Sequence, residues 1–326
     1  MPRSKKQVYL SMCAALWALH WPLAAMAQEA WPARAITVVV PTAPGSGADA
    51  LARIVAPTLQ RGLGQPIVID NRPGANSLIG AQAAARAPAD GYTLFLGSAT
   101  THAVNPSLYG SRLGYAPGDL EIVATIGAGP VLWLVPSNAS APASTRSAID
   151  TMRATANANC AYGNSVGQVA CALVAKRLGL TWLGVPYRST PQALNDAAAG
   201  LVTAVFADAA VAMPYVTAGK LRVLAVAYTE RLSVLPGAPT LDELGHADIH
   251  LLAWSGLFVP RGTPAGVQER LNRLVASAND EPAAKAQLAR SGGVQLPGDI
   301  AAARAFVARE AARWVRYVGE TGVKPE

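Results

Sequence analysis

An α/β fold of two lobes, joined by two chain crossings and separated by a cleft, follows from three features of this sequence. Apolar, β-rich runs alternate with amphipathic helical stretches along most of the chain, the pattern of strands and helices wound on a mostly parallel sheet. The apolar segment 122–135 is interrupted by Gly127-Ala128-Gly129-Pro130, and the run LRVLAVA at 221–227 lies where the chain would cross back. The 326 residues, 51% hydrophobic and 14% charged, suffice for two cores of roughly 100–150 residues each.

The first strand is Ile36–Val40, a β-branched run of the kind buried on both faces. It breaks at Pro41 into the loop PTAPGSG, and a helical pattern over 48–62 sets Leu51, Ile54, Val55 and Leu59 on one stripe. A strand at 67–70 ends in the turn NRPGAN, a short helix covers 79–87, and YTLFLG at 92–97 is the next strand. After the first crossing, helices are expected at 145–156, 166–178 and 191–199, and strands at 160–162, 183–185 and 202–206. Helices at 264–278 and 300–319 close the first lobe. The lobes are thus 28–127 with 228–326, and 128–227. Such an arrangement places a cleft at the carboxyl ends of the strands, where small ligands bind.

The loop PTAPGSG joins a buried strand to a helix start. Free backbone N–H groups and the positive end of the helix dipole meet there, which suits an anion. The spacing excludes nucleotides: neither G-x-G-x-x-G nor a P-loop Lys-Ser/Thr is present. Asp49 reads as structural, because a carboxylate at a helix start caps N–H groups. A second loop, GSATTHAVNPSLY at 97–109, offers the hydroxyls of Ser98, Thr100 and Thr101 at another strand end. These suit a carboxylate, the alternative being a capped helix start. Ser98 with His102 does not make a hydrolase motif, since no G-x-S-x-G elbow surrounds the serine. His246 and His250 lie in a loop with Asp248 and no convincing third metal ligand. In the second lobe, Ala161-Tyr162-Gly163-Asn164-Ser165 and Val185-Pro186-Tyr187-Arg188-Ser189 end strands with polar groups. Arg188 is a cationic candidate or a loop brace. Asp208 meets a cationic or hydroxyl group of a ligand, or caps a helix.

The N-terminus reads as an export signal: Arg3, Lys5 and Lys6, then an apolar run over 8–25, then Ala25-Met26-Ala27 as a cleavage site. The expected product is a soluble protein of the bacterial periplasm that begins at Gln28. The formal charge of +7 then falls to +4, from 24 basic and 20 acidic residues. No basic run with interleaved aromatics is present, so nucleic acid is not an expected partner. Cys160 and Cys171 are the cysteines that follow the signal. An oxidising compartment permits a disulfide between them, and two buried thiols are the alternative.

The segments WPARAITVVVPTAPGSGADALAR, IDNRPGANSLIGAQAAARAPADGYTLFLGS, HAVNPSLY, VPYRSTPQALNDAAAGLV, AGKLRVLAV, LPGAPTLDELG and WSGLFVPRGTPAGVQERLN together resemble the Bug/TctC family of tripartite tricarboxylate transporter receptors. The resemblance runs from Trp31 to the C-terminus. It implies a periplasmic binding protein of type II with Venus-flytrap closure, no catalysis, no cofactor and a monomeric state. It also implies a carboxylated ligand: a di- or tricarboxylate, an acidic amino acid or an aromatic acid. The resemblance places the ligand's carboxylate between Thr42, Ala43, Ser46 and Gly47 of the first loop and Ser98, Ala99, Thr100 and Thr101 of the second. Tyr162, Asn164, Ser165, Tyr187 and Asp208 would meet the variable part of the ligand. The implied partners are the two membrane subunits of such a transporter, or alternatively a membrane sensor kinase. Thr42-Ala43 stands where Phe-Pro or Phe-Ala is usual in the family, and Ser46 replaces a usual glycine.

Overall fold

The computed structural model describes residues 31–137, 144–296 and 298–325. The expected signal segment and its cleavage site lie outside the described residues. The first half of the fold contains β1 (Ile36–Val40), α1 (Gly47–Leu63), β2 (Ile67–Asn71), α2 (Leu78–Ala85), β3 (Thr93–Ser98) and α3 (Asn105–Tyr109). Next come the long β4 (Leu120–Pro136), α4 (Thr145–Ala154), β5 (Asn159–Tyr162), α5 (Ser165–Leu178), β6 (Leu183–Pro186) and α6 (Thr190–Ala198). The chain ends with β7 (Ala204–Asp208), α7 (Ala209–Thr217), β8 (Leu221–Val226), β9 (Leu252–Pro260), α8 (Ala265–Asp280), α9 (Pro282–Arg290) and α10 (Ile300–Thr321).

The strands run in the order β2-β1-β3-β9-β4-β7-β5-β6, with β8 also on β4. β4 belongs to both lobes. Its residues 120–130 pair antiparallel with β9, and from Val131 onward it pairs with β7 and β8. The Gly127–Pro130 segment, read from the sequence as a break between two runs, is therefore continuous strand. Gly129 and Pro130 stay extended because they pair with Ala253 and Leu252 of β9. The sheet is more mixed than the expected parallel arrangement: β1 pairs in parallel with β2 and β3, and β5 with β6 and β7, but every β4 and β9 pairing is antiparallel.

One apolar cluster, from Phe95 and Phe258 to Trp133 and Phe206, runs through both lobes, and each lobe adds a smaller cluster of its own. In the first, Ile36, Val38 and Val40 of β1 pack with Val55 and Leu59 of α1 and Leu271 and Val275 of α8. Helix α1 starts where Ser46 accepts the Asp49 N–H and ends at Gly64 in the left-handed conformation, the common start and stop signals of a helix. In the second lobe, Trp133 of the shared cluster stacks on Phe206 at 5.8 Å and meets Trp182 edge-on. Helix α10 spans the two. Its Phe306 packs edge-on against Trp254 at 5.6 Å, while Lys176 of α5 donates to the Glu320 carbonyl at 2.7 Å. Arg177 of α5 also bridges Asp248 and Glu320. His250 is held by Asp242 at 2.9 Å rather than grouped with His246 and Asp248.

A disulfide joins Cys160 of β5 to Cys171 of α5, with Cα atoms 6.0 Å apart. It closes a short loop that contains Tyr162 and Asn164, at the cleft end of β5. A loop of this length stabilises by about 3 kcal/mol through the entropy it removes from the unfolded chain. Denaturant unfolding of the Cys160→Ala, Cys171→Ala double variant is expected to show a loss of about 2–3 kcal/mol, and wild type under reductant a comparable loss.

Candidate ligand-binding cleft

The carboxyl ends of β1, β3, β5, β6 and β7 open on one cleft of about 1390 Å³. It is lined from the first lobe by Thr42, Ala43, Ser46, Gly47, Ser98, Ala99 and Thr100. Tyr162, Asn164, Tyr187 and Asp208 line it from the second. The two walls meet closely at one point, where a Cβ built on Gly47 would lie 3.2 Å from a methyl of Val211.

In the first loop, Asp49 is buried and turned inward. Its carboxylate accepts from the Gly45 N–H at 2.9 Å, from Arg53 Nε at 2.9 Å and from Asn71 Nδ2 at 3.1 Å. The Arg53 hydrogen bond, with those of Gly45 and Asn71, holds this carboxyl below its ordinary range against the opposing effect of burial. It is thus the brace of the loop and no part of the cleft wall. Thr42 Oγ1 and Ser46 Oγ lie 2.6 Å apart, and Ser46 Oγ also accepts from the Asp49 N–H. One hydroxyl proton of this pair is consumed by their mutual bond, and the other remains available. The first-turn N–H groups of Gly47 and Ala48 have no acceptor within the helix.

The second loop leaves β3 through Ser98 and Ala99 into one turn of π-helix, Thr100–Val104. Ser98 Oγ and Thr100 Oγ1 have no hydrogen-bond partner among the described residues. Thr101 departs from its expected role. It is wholly buried, and its hydroxyl is spent on the Ser98 N–H at 2.9 Å and on His102 Nδ1 at 2.9 Å. It shapes the loop from behind instead of touching a ligand. His102 lies stacked on Phe258 at 3.9 Å. Burial drives its pKa down to about 3, so the ring is neutral at physiological pH.

In the second lobe the expected residues are largely engaged already. Asn164 caps α5 by accepting the Gly167 N–H at 2.9 Å, and its amide donates to Thr190 Oγ1 at 3.2 Å. Tyr187 donates its hydroxyl to Asp196 at 2.8 Å, and its N–H to the Tyr162 carbonyl at 2.8 Å. Between these loops only glycine fits at position 163, since a Cβ there would lie 2.1 Å from the Thr190 nitrogen. Ser165 is the second departure. It is fully buried behind the cleft wall: its hydroxyl donates to Asn105 Oδ1 at 2.8 Å and its N–H to Asn76 Oδ1 at 3.1 Å. Asn105 Nδ2 in turn donates to the Asn76 carbonyl at 2.8 Å. This triangle ties the start of α5 to two loops of the first lobe. Arg188, exposed at the cleft rim, makes no side-chain bond among the described residues.

Sequence reasoning missed several lining residues. Asn76 and Ser77 sit in a left-handed turn together with Ala75, and the sequence NRPGAN announced only a turn there. Trp254 and Ser255 line the cleft from β9. The apolar run in LAWSGLFVP, buried at all but one position, is the signal for that strand.

Two α/β lobes sharing a strand, with strand ends and helix starts facing a common cleft, define a solute-binding receptor. The tripartite tricarboxylate transporter family receptor (TctC) profile matches residues 51–323, and the chain belongs to that family. It is 32% identical to Protein BugT of Bordetella pertussis over 309 residues, covering 92% of this chain and 93% of that one. Two solved structures from Rhodopseudomonas palustris are each 31% identical to it. MatC with bound malate superposes with a TM-score of 0.82, over 88% of this chain and 100% of that one. Rpa4515 with adipate superposes with a TM-score of 0.84, over 91% and 100%.

The buried His102 gives a pH test. Its unfolded form takes a proton near pH 6.5, while the folded ring resists until about pH 3. Between these values the unfolded chain binds more protons, so its contribution is present above pH 6.5 and is lost as pH falls. The expected slope is at most about 1.4 kcal/mol per pH unit. In urea titrations from pH 7 to pH 4, the stability of wild type should fall more steeply than that of His102→Gln. Parallel curves would mean that the ring is not held neutral.

Proposed function

We propose that this receptor captures a small carboxylated solute by its carboxylate, between the first and second loops, and closes the 128–227 lobe over the rest of it. The observation that carries this reading is the set of unspent donors on one wall. The hydroxyls of Ser98 and Thr100, one proton of the Thr42–Ser46 pair and the α1 first-turn N–H groups line the cleft together. Such donors, at the positive end of a helix, recognise an oxyanion without a lysine or arginine. The relatives solved with malate and adipate share this fold and support the same ligand chemistry. Closure is the change a membrane partner can read, since a ligand shifts only those states that it binds differently. The proposed partners are the two membrane subunits of a tripartite tricarboxylate transporter, with the receptor acting as a periplasmic monomer after removal of residues 1–27.

A non-catalytic role is supported by the surroundings of the serine nearest a histidine. His102 Nδ1 is bonded to Thr101 and its ring is stacked on Phe258, so that nitrogen is not free to act as a base on Ser98.

Thermal-shift screening against carboxylates tests the reading. At about 100 times its Kd, a ligand that binds only the folded state adds about 2.7 kcal/mol, and the melting temperature rises by several degrees. Ser98→Ala and Thr100→Val should each weaken binding of such a carboxylate by about tenfold, the value of one hydrogen bond to a charged group. If no carboxylate shifts the transition while a neutral sugar does, the proposal is wrong.

A further inference from the structure

The two walls of the cleft differ in what they have left to offer. The first-lobe wall presents unspent donors. On the second-lobe wall Asn164 is spent on the start of α5 and Tyr187 on Asp196, while Arg188 stands at the exposed rim. What that wall still presents is an acid. Asp208 ends β7 between the buried Phe206 and Ala207 on one side and the buried Ala209 on the other, and it lines the cleft beside the shared strand, opposite Val131. One oxygen, Oδ1, caps α7 by accepting the Val211 N–H at 3.2 Å. No lysine, arginine or histidine pairs with this carboxylate among the described residues. Burial pushes its carboxyl above the ordinary range, against the bonds from the start of α7 that pull it down.

A carboxylate partly removed from water without a counterion gains from any donor that reaches it. It also repels a second anion placed beside it. The cations of the cleft do not relieve this. Lys285 is paired with Asp280 at 2.9 Å. Arg188 follows β6, which is separated from β7 by β5 in the sheet order. It stands at the exposed rim and makes no ion pair with Asp208 among the described residues.

We propose that Asp208 makes this cleft selective for carboxylic acids that carry a hydrogen-bond donor, a hydroxyl or an ammonium group, at the end opposite the anchored carboxylate. The inference rests on the carboxylate reading above and narrows it: an unsubstituted dicarboxylate would set its second charge against Asp208. The hydroxyl or ammonium group donates to the Asp208 carboxylate when the lobes close, and the two chemistries differ only in whether the bond carries one charge or two.

The test is calorimetric titration with matched acids of four, five and six carbons, each as the unsubstituted dicarboxylate, the ω-hydroxy acid, the ω-amino acid and the plain monocarboxylate. Wild type is expected to bind at least one donor-bearing acid about tenfold or more tightly than the dicarboxylate and the monocarboxylate of equal length. Comparing the hydroxy and amino arms identifies the donor. Asp208→Asn keeps an oxygen to cap α7 and removes the charge. It should erase most of the preference for an amino acid and tighten the dicarboxylate. A wild type that prefers the dicarboxylate, or an Asp208→Asn variant that neither loses an amino-acid preference nor tightens the dicarboxylate, overturns the inference and leaves the carboxylate reading standing. Absence of binding by every acid in the series, with a neutral solute binding instead, sinks both. If the variant does not fold, the wild-type ranking decides alone.

Discussion

Everything in this molecule is arranged around one shared backbone. Strand β4 gives its first eleven residues, 120–130, to β9 and the remainder to β7 and β8, so both lobes hydrogen-bond to the same stretch of chain. The exchange falls beside Pro130, a residue with no N–H to donate. A proline inside a sheet is otherwise a defect; here it sits where one set of partners ends and the next begins. The neighbouring Gly127 and Gly129 line the cleft without side chains, which keeps the floor of the site open. The strand ends that carry the binding loops lie on either side of this joint.

The lobes are also tied away from the joint. In the Asn76–Asn105–Ser165 triangle, Asn105 and Ser165 are fully buried and Asn76 is partly so, and each member is hydrogen-bonded to both of the others. Asn76 belongs to three consecutive residues with positive φ, Ala75, Asn76 and Ser77. Such residues cost of order 1–3 kcal/mol each and persist only where their surroundings over-determine them. The triangle supplies that determination, and it does so from the other lobe. The shape of the 74–77 wall of the cleft therefore depends on how the lobes sit together.

The first lobe was largely legible in the sequence, because its signals are local. The β-branched run of β1, the break at Pro41 and the helical stripe of α1 state their own geometry. Strand β9 was lost because its partners lie far away in sequence, and β4 was split in two because Gly-Ala-Gly-Pro reads as a turn unless an antiparallel neighbour holds it straight. The errors at Thr101 and Ser165 share a cause. Residue type says that a hydroxyl exists but not where it points, and both of these turn inward to backbone or amide partners that only the folded chain supplies. Asp49 was read correctly as structural for the opposite reason: the position of an acid at a helix start specifies its partners. The family assignment did not depend on these details, since it rests on segments spread along the whole chain.

Helix α10 has a practical consequence. Its body lies on the first lobe through Phe306 and Trp254, and its last turn is fastened to α5 of the second through Glu320 and, just beyond the helix, the Lys324 carbonyl. A fluorescent protein or purification tag attached behind α10 would therefore hang from a segment that grips both halves, where it biases the equilibrium it is meant to report. For a biosensor built on this receptor, dyes belong on the two jaws, and the tail is best left bare.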